Sequence, residues 1–234
     1  MRCKIADLQV EMFCHPETQQ TANAYACAAD GPADITISPE DYAALPIRPP
    51  AHISEAERDY GLSGLCFSRQ LPEYQGLVLH ASAVLYREKA YLFTAPSGMG
   101  KSTHAALWCK AFPGCVILND DKPALRVRDG VVYVYGTPWA GKHRIQQNLC
   151  APLGGICLLH RGETDAACPA APDDALLALY GQVGHTALTA PQMEKLLSVL
   201  ESVIKQAPIY HLYCTPTIQA AELAYRTLIG EIDG

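Results

Sequence analysis

The stretch Tyr91–His104, reading YLFTAPSGMGKSTH, constrains this chain more than any other. An apolar run, Tyr91-Leu92-Phe93, enters a loop of small residues, and Gly100-Lys101-Ser102-Thr103 then opens a segment of helical character. Strand, tight loop and helix in that order are the setting in which the pattern Gly, any four residues, Gly, Lys, Ser or Thr holds phosphate. Here Ala95 stands in place of the first glycine, so the candidate phosphate-binding set is Ala95, Pro96, Ser97, Gly98, Met99, Gly100, Lys101, Ser102 and Thr103. Small residues let successive backbone N–H groups point at one spot, and the first helical turn adds its own unpaired N–H groups and positive dipole end. Lys101 is expected to reach the β- and γ-phosphates, and the Ser102 hydroxyl to take a place on Mg²⁺. A glycine-rich turn that merely caps a helix would use similar letters, but the apolar strand before it and the helix after it favour phosphate. The chain is expected to handle a nucleotide or something built like one.

The 234 residues suit one large domain, or one domain with a small appendage, and 49% hydrophobic content supplies a substantial core. A formal net charge of −6 argues against a general nucleic-acid or membrane-surface binder. No apolar run approaches the roughly 20 residues that cross a bilayer. The first residues, MRCKIADLQVEMF, interrupt their apolar positions with Lys4, Asp7 and Glu11, unlike a secretion signal. Ten cysteines are scattered without a CxxC pair or metal-ligand spacing. With a phosphate loop and no signal, they are expected to be reduced thiols packed as small apolar residues, and the compartment the cytosol.

Around the loop the pattern is that of a sheet. Leu77–Tyr86 reads as a strand, Arg87-Glu88-Lys89 as a turn and Ala90–Phe93 as the next strand, so a hairpin feeds the loop. In the commonest nucleotide-binding folds a helix would intervene instead. Ser102–Ala111 is expected to be a helix ended by Pro113-Gly114. The strand Cys115–Leu118 then delivers Asn119-Asp120-Asp121-Lys122 at its C-terminal end. An apolar strand ending in acid, downstream of a phosphate loop, is where a magnesium-handling carboxylate belongs. Of Asp120 and Asp121, one is expected to hold Mg²⁺ and the other to accept a proton from an attacking hydroxyl, with the order left open. A solvated turn before Pro123 is the bland alternative.

Beyond them, Arg128-Asp129-Gly130 closes a second hairpin between Ala124–Val127 and Val131–Tyr135. Gly136–Arg144 has the makings of a mobile lid, with an aromatic anchor at Trp139 and with Lys142 and Arg144 available to stabilise charge on a transferring phosphate. Gly155–His160 and Ile209–Tyr213 read as strands, Pro172–Tyr180 as a helix, and the segment from Pro191 as a longer one with a core-facing stripe. Thr215 is expected to cap the last helix with Pro216 in its first turn. His160, His185 and His211 lack metal spacing and read as structural. The N-terminal 75 residues carry weak strand signals at Cys3–Phe13 and Asp34–Ser38 and a short helix near Pro39–Ala44. They are expected to be strands and linker packed on a main domain of residues 76–234, with no chemistry before about residue 60.

Leu79-His80, the hairpin, Ala95–Ser102 (APSGMGKS) and the strand ending in Asp120-Asp121 together resemble the catalytic domain of HPr kinase/phosphorylase. The resemblance spans about residues 76–144. It implies a phosphoenolpyruvate-carboxykinase-like fold, a sheet-rich α/β domain in which a hairpin precedes the phosphate loop. It also implies an ATP- and Mg²⁺-dependent kinase, with Lys101 and Ser102 on phosphate and metal, Asp120 or Asp121 as base and metal partner, and His80 beside the reacting groups. The chain departs from the family at Ala95, at Thr103 where many members carry an acid, and at Gly136–Lys142, where the arginine-glycine motif is not recognisable. These departures fall on protein-substrate recognition and on phosphorolysis. They leave as acceptor a serine of a protein or peptide, or a small molecule, and leave open a homo-oligomeric state. The alternative is a nucleotide-binding regulator without catalysis.

Overall fold

The computed structural model describes residues 1–28, 31–47, 49–50, 52–184 and 188–230. The chain opens with a hairpin, β1 (Arg2–Ile5) and β2 (Leu8–Met12), closed by Ala6 and Asp7 at φ 51° and 58°. After α1 (Pro16–Thr21), β3 (Ile35–Ile37) joins β2 in parallel to complete a three-stranded sheet. Two helices follow, α2 (Pro39–Ala43) and α3 (Glu55–Gln70). The sixteen-residue α3 falls within the stretch expected to be strands and linker, and starts on a capping box in which Ser54 and Glu57 satisfy each other's backbone N–H groups. That Ser-x-x-Glu spacing was the available signal.

Among the described residues the main sheet has nine strands. It begins with β4 (Gly76–Val78), β5 (Ala81–Tyr86) and β6 (Lys89–Thr94), the last two joined by Arg87 and Glu88 at φ 46° and 61°. Then come α4 (Lys101–Ala111), β7 (Val116–Asp121), β8 (Ala124–Arg128) and β9 (Val131–Tyr135), with Asp129-Gly130 in the tight turn. Strand β10 (Cys150–Arg161) is followed by β11 (Ala166–Pro169), α5 (Pro172–Tyr180), α6 (Ala190–Gln206), β12 (Ile209–Cys214) and α7 (Ile218–Leu228). The expected single strand over residues 77–86 is two. β4 pairs with β8, whereas β5 lies between β6 and β7. The break falls at His80, whose N–H donates to the Gln182 carbonyl and whose carbonyl accepts from the Thr94 hydroxyl, so its backbone groups leave the ladder.

Strand β10 is twice the expected length because it changes partners along its course. Its first residues pair antiparallel with β9, and the rest runs parallel to β6 and β12, with a bulge between Leu153 and Gly155. The result is a curled sheet in a mixed α/β fold. Alternation along the central strands assigns the two faces. Ala83 and Leu92 meet the cluster built by α5 and α6, whereas Val84, Tyr91 and Phe93 meet Trp108 of α4 and Tyr225 of α7. The stripe on α6 buries Leu196, Leu200 and Val203, while Leu197 stays exposed. A third cluster joins the N-terminal sheet and Phe67 of α3 to Val78, Ala124 and Tyr135 of the main sheet and to Trp139 in the segment after β9. Thr217, not Thr215, caps α7; Thr215 is instead held by Asp165, to which its N–H and hydroxyl both donate. No helix among the described residues is long and apolar enough to cross a membrane.

Candidate functional site

The loop between β6 and α4 is shaped by two glycines. Gly98 and Gly100 lie at φ 79° and 96°, a region that side chains other than glycine rarely adopt, and Gly100 is the residue from which α4 starts. The first-turn N–H groups of α4 therefore face the loop interior. Lys101 is buried, and its ammonium donates to the Ala95 carbonyl at 2.9 Å and the Pro96 carbonyl at 3.3 Å. Burial depresses its pKa, against which Asp121 and Asp120 pull upward. The Ser102 and Thr103 side chains are exposed beside it.

Strand register brings the acids to this loop. Ala81 of β5 lies opposite Thr94 on one side and Asp121 on the other, and Ser82 lies opposite Asp120. The mouth of the loop and the acid pair are thus two strand spacings apart, about 10 Å. The two carboxylates differ sharply in environment. Asp120 is buried and accepts the Ser82 hydroxyl at 2.5 Å, while its backbone carbonyl accepts the Gly141 N–H at 2.6 Å. Any β-carbon on residue 141 would come within 2.8 Å of that carbonyl, so the close approach requires glycine. Asp121 leaves the strand at φ 153° and keeps its carboxylate partly open. One oxygen is 3.2 Å from His80 Nε2 and the other 3.3 Å from Lys122 Nζ. Burial pushes this carboxyl up, but the His80 hydrogen bond and the Lys122 charge outweigh it, and the pKa falls below the ordinary value. His80 is oriented from behind by the Gln182 side-chain oxygen, 3.2 Å from Nδ1. With Nδ1 against Gln182, Nε2 is the ring nitrogen that faces Asp121.

The segment 136–144 is pinned more than a free lid would be. Trp139 is buried, stacks on Phe67 with ring centroids 4.9 Å apart and donates Nε1–H to Ser63. The Tyr60 hydroxyl accepts the Ala140 N–H at 2.6 Å and faces the Pro138 and Ala140 carbonyls. Only the tip, with Lys142, His143 and Arg144, is exposed, and the Arg144 guanidinium lies 5.7 Å over the Tyr60 ring. The loop, the acid pair and His80 therefore converge on one edge of the sheet, with Lys142 and Arg144 on the adjoining tip.

Two cavities flank this edge. One, of about 340 Å³, runs from His80, Asp121 and Lys122 beneath α3. The other, of about 320 Å³, lies along the far side of the loop between Gly98–His104 and the ends of β10 and β12. Sequence reasoning missed Tyr60, Ser82 and Gln182, whose partners are remote in the chain, and His104 on the first turn of α4. The His104 ring packs edge-on against Phe93, its Nε2 has no hydrogen-bond partner, and burial pushes its pKa down to about 4. A histidine held neutral in the fold but free to charge on unfolding destabilises as pH falls from about 6.5 towards 4, by up to about 3 kcal/mol. Melting curves between pH 7 and pH 4 are expected to show a shallower acid slope in His104→Leu than in the wild type.

Hard oxygen donors at Ser102, Asp120 and Asp121 suit Mg²⁺. Among the described residues no cluster of three or more His, Cys, Asp or Glu forms a cage for a metal. Ser102, Asp120 and Asp121 are the groups of this site that would hold Mg²⁺. His160 and His211 pair with each other, Nε2 to Nδ1 at 2.9 Å, and His185 lies outside the described residues.

No family model matches the chain, and no curated protein matches it. Among solved structures it is similar to the HPr(Ser) kinase/phosphatase from Coxiella burnetii, at 14% identity over 52% of this chain and 87% of that one, with a TM-score of 0.31. So loose a superposition bears no weight on function, which has to be read from the loop, the acid pair and His80.

Proposed function

We propose that this chain is an ATP- and Mg²⁺-dependent phosphotransferase of HPr-kinase-like type that acts on a hydroxyl. On this reading residues 76–234 form a phosphoenolpyruvate-carboxykinase-like catalytic unit with residues 1–75 packed against it. The observation that carries the reading is the row Thr94, Ala81, Asp121 across three adjacent strands, which sets the loop mouth beside the acid pair. The loop amides and Lys101 hold the phosphates of ATP. Ser102 and Asp120 would hold a Mg²⁺ that arrives with the nucleotide, and the metal would supply charge neutralisation. Asp121, kept ionised by His80 and Lys122 and open to the cavity under α3, is the base. The acceptor O–H gives its proton to the Asp121 carboxylate as the O–Pγ bond forms, and the bond from Pγ to the bridging oxygen breaks with its electron pair leaving on ADP. Lys142 and Arg144 add positive charge from the neighbouring tip.

Calorimetry with Mg-ATP, followed by transfer of a labelled γ-phosphate, tests the proposal. Saturable binding at one site per chain is expected, with slow hydrolysis in the absence of an acceptor. A wild-type protein that does not bind Mg-ATP sinks it, and one that binds but never turns over would be a nucleotide-binding regulator.

A further inference from the structure

The cavity under α3 is lined by none of the loop residues, so it is a compartment distinct from the phosphate side of the site. Its charged, imidazole and amide side chains are those of His80, Asp121, Lys122 and Gln182, and α3 adds the hydroxyls of Tyr60 and Ser68. The remaining wall comes largely from α3 and from Val78, Trp139 and Val183, and is apolar. Its volume lies at the lower end of the range for pockets that take up a whole small molecule, about 300–1,000 Å³.

The glycines of α3 bear on what this space is for. A glycine inside a helix costs roughly 0.5–1 kcal/mol relative to alanine, so each one needs a reason. Gly64 has a packing reason: a β-carbon there would meet the Trp139 ring at 3.0 Å. Gly61 has none. A β-carbon there would meet nothing within 4 Å, and its backbone is helical. Gly61 is exposed and lines the cavity, so the missing side chain leaves the cavity's opening unobstructed.

We infer that the cavity is the acceptor site and that the acceptor is a small alcohol with an apolar body, taken in whole with its hydroxyl at Asp121, rather than a serine on a folded protein. The inference rests on the phosphotransferase reading above and names its substrate class. An apolar body fills the wall beneath α3, and the hydroxyl meets the carboxylate of Asp121, the one acid among the described lining residues. A protein serine would need only the mouth of the site and would leave the inner end of the cavity unused.

The test compares wild type with Gly61→Ala and Gly61→Leu, which fill the cavity in steps and raise helix propensity. Benzyl alcohol, cyclohexylmethanol, 3-phenylpropanol and a nine-residue serine peptide serve as probes, with binding read by saturation-transfer NMR and Mg-ATP binding by calorimetry. At least one small alcohol is expected to bind the wild type, to weaken in Gly61→Ala and to weaken at least tenfold in Gly61→Leu, with Mg-ATP affinity the same in all three. Small alcohols that bind all three proteins equally, or bind none, overturn the inference, as does a serine peptide that is phosphorylated equally by all three. If Gly61→Leu does not fold, the graded loss in Gly61→Ala decides. Gly61-sensitive alcohol binding in a protein that does not bind Mg-ATP overturns the acceptor role through the failure of the phosphotransferase reading, and that pattern is distinct from the others.

Discussion

Asp121→Asn is expected to lower the rate of phosphoryl transfer about 10²–10⁴-fold while leaving Mg-ATP affinity within a few-fold of wild type, the range associated with losing a general base. The amide keeps the shape and removes the proton acceptor. Asp121 is the half-open member of the pair and lines the cavity, whereas Asp120 is buried, shared with Ser82 and turned from it. Asp120→Asn is accordingly expected to weaken Mg²⁺-dependent nucleotide binding as well as transfer. Wild-type rates in both variants would remove the acid pair from the mechanism. The pH dependence follows from the sign of the shift. Because the folded Asp121 pKa lies below its ordinary value, the carboxylate stays ionised through neutral and mildly acid pH, and activity falls only as pH drops through that lowered value. Its stabilising contribution has the same window: fully present above the unfolded carboxyl pKa and lost as pH falls through the folded one.

Lys101→Ala is expected to cost about 100-fold in Mg-ATP affinity, about 2.7 kcal/mol, as befits the loss of charge-assisted hydrogen bonds to phosphate. The same substitution is not expected to lower the melting temperature of the nucleotide-free protein. The ammonium is buried against two neutral carbonyls, and burial already disfavours its charge. Paired calorimetry and melting of Lys101→Ala against wild type measure both halves. Unchanged nucleotide affinity would place the nucleotide elsewhere, and a large loss of stability would make Lys101 a structural strut of the loop.

Elements fixed by neighbours in the chain were legible before any coordinates. Two-residue turns such as Asp129-Gly130 favour positive φ and so close hairpins, and the apolar run into Gly98 and Gly100 had to be strand, loop and helix. The Ser54–Glu57 capping box is a local signal of the same class and marks the start of α3, one wall of the cavity. Thr215 and Thr217 both suit a helix cap, and Asp165, fifty residues before Thr215 in the chain, takes the first of them. His80 shows the limit most clearly. Within an apolar stretch it reads as core, and only the departure of its backbone towards Gln182, 102 residues away, turns the side chain towards Asp121.

The sequence by itself determined the glycine loop between β6 and α4, the hairpin that feeds it and the strand that carries Asp120 and Asp121, because each rests on local turn geometry and on the alternation of apolar residues. Tertiary structure alone decided that β10 changes partners and curls the sheet, that Ser82 holds Asp120 and His80 holds Asp121, and that α3 encloses a cavity beside them. Periodicity states which face of an element is buried, but not which other element buries it, and at this site the pairing of remote elements sets the chemistry.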